Sequence, residues 1–215
     1  LPELHREEII ATDLSAVPGC YPTSAILALA PACAEGLIAA DSIIVDSKSG
    51  VSGAGRGLTL GTHFPECNES VSAYKVASHR HTPEIIQELS RLGAPVSVTF
   101  SPHLIPMNRG ILSTCYGTLT REITPADAVE LYHEYYAGEP FVRIHPAGSL
   151  PVTKQVTGSN FCDLGLVVDA DAGRLIVVAV IDNLVKGLAG AAVQCMNLMM
   201  GEPETTALGR YPVWP

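Results

Sequence analysis

The chain has 215 residues, 47% of them apolar and 16% charged, with a formal net charge of −9, and its mean hydropathy is +0.26. That length and apolar content suffice to bury one core and argue against a disordered chain. The charge is dispersed with no Lys/Arg cluster, which argues against a nucleic-acid surface, and no apolar run is long enough to span a bilayer as a helix.

Residues 1 to 13 read as a short helix or arm, and 16 to 22, Ala-Val-Pro-Gly-Cys-Tyr-Pro, as a sharp turn. A helix is expected over 23 to 36, capped by Thr23 or Ser24 and stopped by Gly36. A short strand at 42 to 46 leads into a Ser/Gly-rich stretch, 47 to 61, either flexible or shaped around a ligand. A second helix spans 82 to 92, with Thr82 at the cap and Pro83 at the first position. Strands at 96 to 100 and 111 to 119 follow, then a helix at 124 to 137 capped by Thr124. Strands at 141 to 144, 161 to 169 and 174 to 181 precede a long apolar helix, 184 to 200, ended by Gly201. Neighbouring strands with interspersed helices point to an α+β fold, a sheet covered by helices, rather than a doubly wound one. No repeat and no domain boundary is visible, so 1 to 215 is read as one unit. The opening residues form no signal peptide and include no initiator Met, and the chain reads as a piece of something longer.

Six cysteines without a Cys-x-x-Cys pair fit neither a disulfide scaffold nor a structural zinc site. No metal is expected, and a reducing, cytoplasmic setting is. Cys20 differs from the other five because it sits in a tight turn that leads directly into a helix. Unpaired N–H groups and the positive end of the helix dipole favour a thiolate there, so its pKa is expected to fall. Gly19 permits a close backbone approach. A nucleophilic thiol needs a proton shuttle, and only Ser78-His79-Arg80-His81-Thr82-Pro83-Glu84 clusters histidines. Arg109, between two strands, is suited to gripping a carboxylate or phosphate.

Five segments together resemble the N-acetyl-γ-glutamyl-phosphate reductase family, of the aspartate-semialdehyde dehydrogenase type. They are Pro-Gly-Cys-Tyr-Pro-Thr at 18 to 23, Asp-Ser-Lys-Ser-Gly-Val-Ser-Gly-Ala-Gly-Arg at 46 to 56, His-Arg-His-Thr-Pro-Glu-Ile at 79 to 85, His-Leu-Ile-Pro-Met-Asn-Arg-Gly-Ile at 103 to 111, and Asp-Asn-Leu-Val-Lys-Gly-Leu-Ala-Gly-Ala-Ala-Val-Gln at 182 to 194. The resemblance implies Cys20 as nucleophile and an acid/base from His79 or His81, with His81 favoured. It implies Arg80 and Arg109 on substrate carboxylate or phosphate, Ser49 and Gly50 beside the substrate or cofactor, and Asn183 near a nicotinamide. It also implies reduction of an acyl phosphate by NADPH through a Cys thioester, in arginine biosynthesis, and a homo-oligomer. The implied fold is a mixed, largely antiparallel sheet, like the catalytic domain of glyceraldehyde-3-phosphate dehydrogenase. Val17 stands where family members often carry Asn, which touches a contact near the thiol rather than the thiol. The family begins with a dinucleotide-binding Rossmann domain, and this chain has no Gly-x-Gly-x-x-Gly after a strand. The 184 to 200 helix is therefore expected to pack on that absent domain, and the isolated chain to turn over little NADPH. An aminoadipyl-phosphate reductase, or a non-catalytic assembly or substrate-binding domain, is the alternative.

Overall fold

The computed structural model describes residues 1 to 213. Seven strands form one sheet in the order β2-β3-β1-β4-β7-β6-β5. In chain order they are β1 (Ile43–Ser49), β2 (Ser72–Ala73), β3 (Val98–Leu104), β4 (Ile111–Thr118), β5 (Val142–Ile144), β6 (Cys162–Asp169) and β7 (Arg174–Ile181). The β1–β3 and β5–β6 pairs are parallel. The β2–β3, β1–β4, β4–β7 and β6–β7 pairs are antiparallel. The sheet is mixed, open and largely antiparallel, as the α+β reading expects.

Its helices are α1 (Pro2–Ile10), α2 (Cys20–Ala34), a short α3 (Phe64–Cys67), α4 (Thr82–Ser90), α5 (Pro125–Tyr135) and α6 (Gly190–Met199), the last preceded by one π turn, Val185–Ala189. Alternation along β1 and β4 turns Ile43, Val45, Ile111 and Cys115 into the core under α2. The opposite alternation leaves Ile44, Asp46, Ser101, His103, Tyr116 and Ile176 around an open hollow on the far face.

Helix α2 is the centre of the fold, and twelve of its residues are buried. Its burial requires every polar group to be matched. Pro31 lies inside it and has no N–H for the Leu27 carbonyl one turn back. Tyr136 Oη donates to that carbonyl at 2.7 Å, and Tyr132 Oη donates to the Ala28 carbonyl at 2.7 Å. Ser24 and Ser47 each lie 2.7 Å, Oγ to Oγ, from Ser113, a hydroxyl thread tying α2 to β1 and β4.

Several local expectations change: β1 runs to Ser49 and β3 to Leu104, beyond the expected ends at 46 and 100. Helix α2 starts at Cys20 with Gly19 as its cap, three residues before the expected start. Thr23 and Ser24 are inside the helix, where their hydroxyls donate back to the Gly19 and Tyr21 carbonyls. Helix α4 is capped by His81, not Thr82, whose buried hydroxyl has no partner among the described residues. The 184 to 200 helix is broken at its front by the π turn. Thr124 does cap α5, accepting from the Asp127 N–H at 3.1 Å.

Candidate active site

The sheet edge, the start of α2 and the π turn enclose a cleft of about 850 Å³. Cys20, Ser49, His79, Arg80, His81 and Asn183 all line it. Two other expected residues do not. Gly50 lies behind the wall, its N–H donating to the Gly110 carbonyl, and a Cβ there would meet the Asn108 carbonyl at 2.6 Å. The Arg109 guanidinium is taken up by the fully buried Asp182 at 2.9 Å. Asp182 also accepts from the Gly158, Leu184 and Val185 N–H groups, so Arg109 braces the entry to the π turn.

Cys20 is the first residue of α2, where the leading N–H groups are free. Its thiol nevertheless titrates above the ordinary value. Burial is the largest cause; the Tyr21 and Cys20 N–H groups and the Arg80 charge pull the other way and lose, with Glu84 adding to the rise. The expected fall in pKa is thus reversed, because the burial of the thiol outweighs the helix end. A thiol of this kind needs a base beside it.

The two histidines are placed differently. His79 is 8% exposed and sits edge-on to Tyr21, Tyr74 and Phe100 at 5.7, 5.6 and 5.4 Å between ring centroids. Burial first, then the charges of His81, Arg80 and Lys75, lower its pKa to about 4. Being neutral, its Nδ1 accepts from the His81 N–H at 3.2 Å. His81 lies directly over Gly19: a Cβ on that glycine would stand 2.2 Å from His81 Cε1 and 2.6 Å from Nε2. Glu84, one helical turn on, holds His81 Nδ1 at 2.9 Å and accepts from the Gly19 N–H at 3.1 Å. One carboxylate therefore sets both the imidazole and the backbone that carries the thiol. The His81 ring thus borders the turn that leads into Cys20.

Glu84 was read in sequence only as part of a helix start. Its spacing of three from His81 was the available signal, since residues at i and i+3 share a helix face. Tyr74, Lys75 and Arg56 also line the cleft, on a long excursion whose placement no local pattern announces. Asn183 is 2% exposed and has its amide committed inside the chain. Its Oδ1 accepts from Gly110 N–H at 2.7 Å, and its Nδ2 donates to Ser52 Oγ at 3.0 Å.

The semialdehyde dehydrogenase, dimerisation domain model matches residues 20–183, and the chain belongs to that family. Among solved structures it resembles aspartate semialdehyde dehydrogenase II from Vibrio cholerae, with a TM-score of 0.71 at 16% identity over 93% of this chain and 67% of that one, a likeness of fold.

Curated relatives are more specific. A protein named N-acetyl-gamma-glutamyl-phosphate reductase from Symbiobacterium thermophilum is 59% identical over all of this chain and 63% of its own length. One of the same name from Geobacter metallireducens is 57% identical over 100% of this chain and 63% of its own. The chain spans less than two thirds of the length of these relatives. They bear the name read from the five sequence segments. No helix among the described residues is long and apolar enough to cross a membrane, and no group of three or more His, Cys, Asp or Glu among them could hold a metal ion.

Proposed function

We propose that this chain is the thiol-bearing catalytic portion of an N-acetyl-γ-glutamyl-phosphate reductase, an NADPH-dependent, cytoplasmic enzyme of arginine biosynthesis. The observation that carries the reading is the Cys20–His81–Glu84 arrangement: a largely buried thiol at a helix start, with an imidazole oriented over its turn by a carboxylate. The names of the curated relatives support the choice of substrate.

In this mechanism His81 takes the Cys20 proton as Sγ attacks the acyl carbon, and phosphate leaves. Arg80 is exposed on the cleft wall without a protein anion on it among the described residues, so it is free to bind the phosphate or carboxylate. A nicotinamide dinucleotide, when bound, supplies the hydride that reduces the thioester. Leu188, 55% exposed at the rim beside Asn183, offers an apolar lip that fits a nicotinamide ring. The dinucleotide's phosphates have no glycine fingerprint here and belong to sequence outside this chain. His81 gives its proton to the oxygen of the reduced adduct, takes it back as the C–S bond breaks to release the semialdehyde, and returns it to the Cys20 thiolate. His79 stays neutral and steadies the His81 backbone.

Assembly as a homo-oligomer is part of the proposal, supported by the family's dimerisation domain and by the open sheet face with Ile44 37% exposed. The exposed Leu188, Met196 and Met200 along the π turn and α6 support a further domain packing there. The test is incubation with N-acetylglutamyl phosphate followed by peptide mass spectrometry. Acylation at Cys20, lost in Cys20→Ser, is expected. Acylation at another cysteine overturns the assignment. The isolated chain should acylate yet turn over little NADPH, while the full-length protein does both.

A further inference from the structure

A buried charge pair lies directly behind the nucleophile's wall. The side chains of Lys186 and Glu3 are both 0% exposed. Lys186 Nζ donates to Glu3 Oε1 at 2.5 Å and to Gln194 Oε1 at 2.7 Å, and stands 5.7 Å from the centre of the Phe141 ring. Gln194 Nε2 in turn donates to Glu3 Oε1 and to Glu204 Oε1. Arg6 grips Glu139 and Glu204. This cluster joins α1 to the π turn and α6. Burial pushes the Glu3 carboxyl upward, but the charge and hydrogen bond of Lys186 outweigh it and hold it ionised.

The residue after Lys186 faces the opposite way. A Cβ on Gly187 would stand 2.7 Å from Cys20 Cβ and 3.2 Å from Cys20 Cα, so the π-turn backbone presses on the nucleophile itself. A π turn is a poor helical geometry that persists only when its surroundings impose it. A directional pair fixes its register in a way that apolar filling of the same volume does not, and such filling would avoid the desolvation of two ions. Neither Lys186 nor Glu3 lines the cleft.

We propose that Lys186 and Glu3 are positioning residues whose buried pair locks the π turn, so that Gly187 sets where the Cys20 sulfur stands in the cleft. The proposal rests on the reading of Cys20 as the nucleophile. It makes the amino-terminal arm α1 a working part of the site.

The experiment uses the full-length protein and three variants, Lys186→Met, Glu3→Gln and the apolar pair Lys186→Met with Glu3→Leu. Two readouts are taken well below the melting temperature: alkylation of Cys20 by iodoacetamide across pH, with the site mapped by mass spectrometry, and kcat and KM for the acyl phosphate. A loosened turn relieves the contact of Gly187 on Cys20, exposes more of the sulfur and blurs its position. Alkylation is therefore expected to rise about 5-fold, with its pH midpoint shifted down, while kcat falls roughly 10-fold or more and KM holds. A purely structural role would lower thermal stability and leave both profiles unmoved. Wild-type profiles in the folded apolar pair overturn the proposal. If that pair does not fold, Glu3→Gln, which keeps volume and hydrogen bonding, decides on the same readouts. Wild-type alkylation at a cysteine other than Cys20 instead overturns the nucleophile assignment.

Discussion

Substituting Gly19 by Ala tests the link between thiol and imidazole without removing a reacting group. Gly19 has φ −69° and ψ 165°, an extended conformation open to any residue, so alanine introduces no backbone strain. Its methyl would lie 2.2 Å from His81 Cε1, where ordinary contact begins at 3.4 Å. The ring must therefore withdraw by about 1.2 Å, or the Gly19–Cys20 backbone must, and a misplacement of about 1 Å costs on the order of 10²-fold in rate. The loss of stability should stay near 1 kcal/mol, the usual penalty for alanine at a helix cap. The assay is kcat/KM for acyl-phosphate reduction by the full-length protein, with circular dichroism and thermal melting confirming the fold. A folded Gly19→Ala protein with wild-type kcat/KM would refute a working contact between His81 and the turn that carries Cys20.

The Glu84→Gln variant keeps one acceptor where two are used, so either His81 or the Gly19 N–H loses its partner; kcat should fall roughly 10²-fold with KM little changed, and steady-state kinetics checks this. Replacing His81 by Asn should cost about 10²- to 10⁴-fold in kcat, and His79 by Asn distinctly less; equal losses would return His79 to candidacy. His79 also has a pH signature. Its folded pKa of about 4 lies below the ordinary 6.5, so the unfolded chain binds the extra proton between those values. Stability is full above pH 6.5 and is lost as pH falls toward 4, by at most about 3 kcal/mol from this group. Urea midpoints at about pH 7 and pH 4.5 should differ less in His79→Phe than in the wild type. Tyr136→Phe leaves the buried Leu27 carbonyl unpaired beside Pro31 and should cost about 1–3 kcal/mol, a drop of several degrees in Tm by calorimetry.

Most of the fold could be read from local pattern. The strand at 174 to 181 was expected with the bounds it has, because a run of Val and Ile between Asp/Gly and Asp/Asn leaves no helical alternative. Thr124 before Pro125 announced α5 in the same way. The start of α2 was misplaced because Cys20, Tyr21 and Pro22 carry no apolar period, and Pro22 reads as a turn although it is tolerated in a first helical turn. Thr82 looked like a cap by type, but His81 holds that place because its backbone is already tied to His79.

Chemistry-bearing residue types at local spacing were a property of the sequence: Cys20 after a glycine, two histidines around Arg80, a carboxylate three residues beyond. These depend only on neighbours along the chain. The burial of the sulfur, which imidazole a carboxylate holds, and the pairing of Arg109 with Asp182 depend on packing. Solvation and partner choice depend on groups brought together from distant parts of the chain, such as the Lys186–Glu3 pair, whose members lie 183 residues apart. No spacing rule reaches that far, so the sign of the Cys20 shift could be known only once the packing around it was in place.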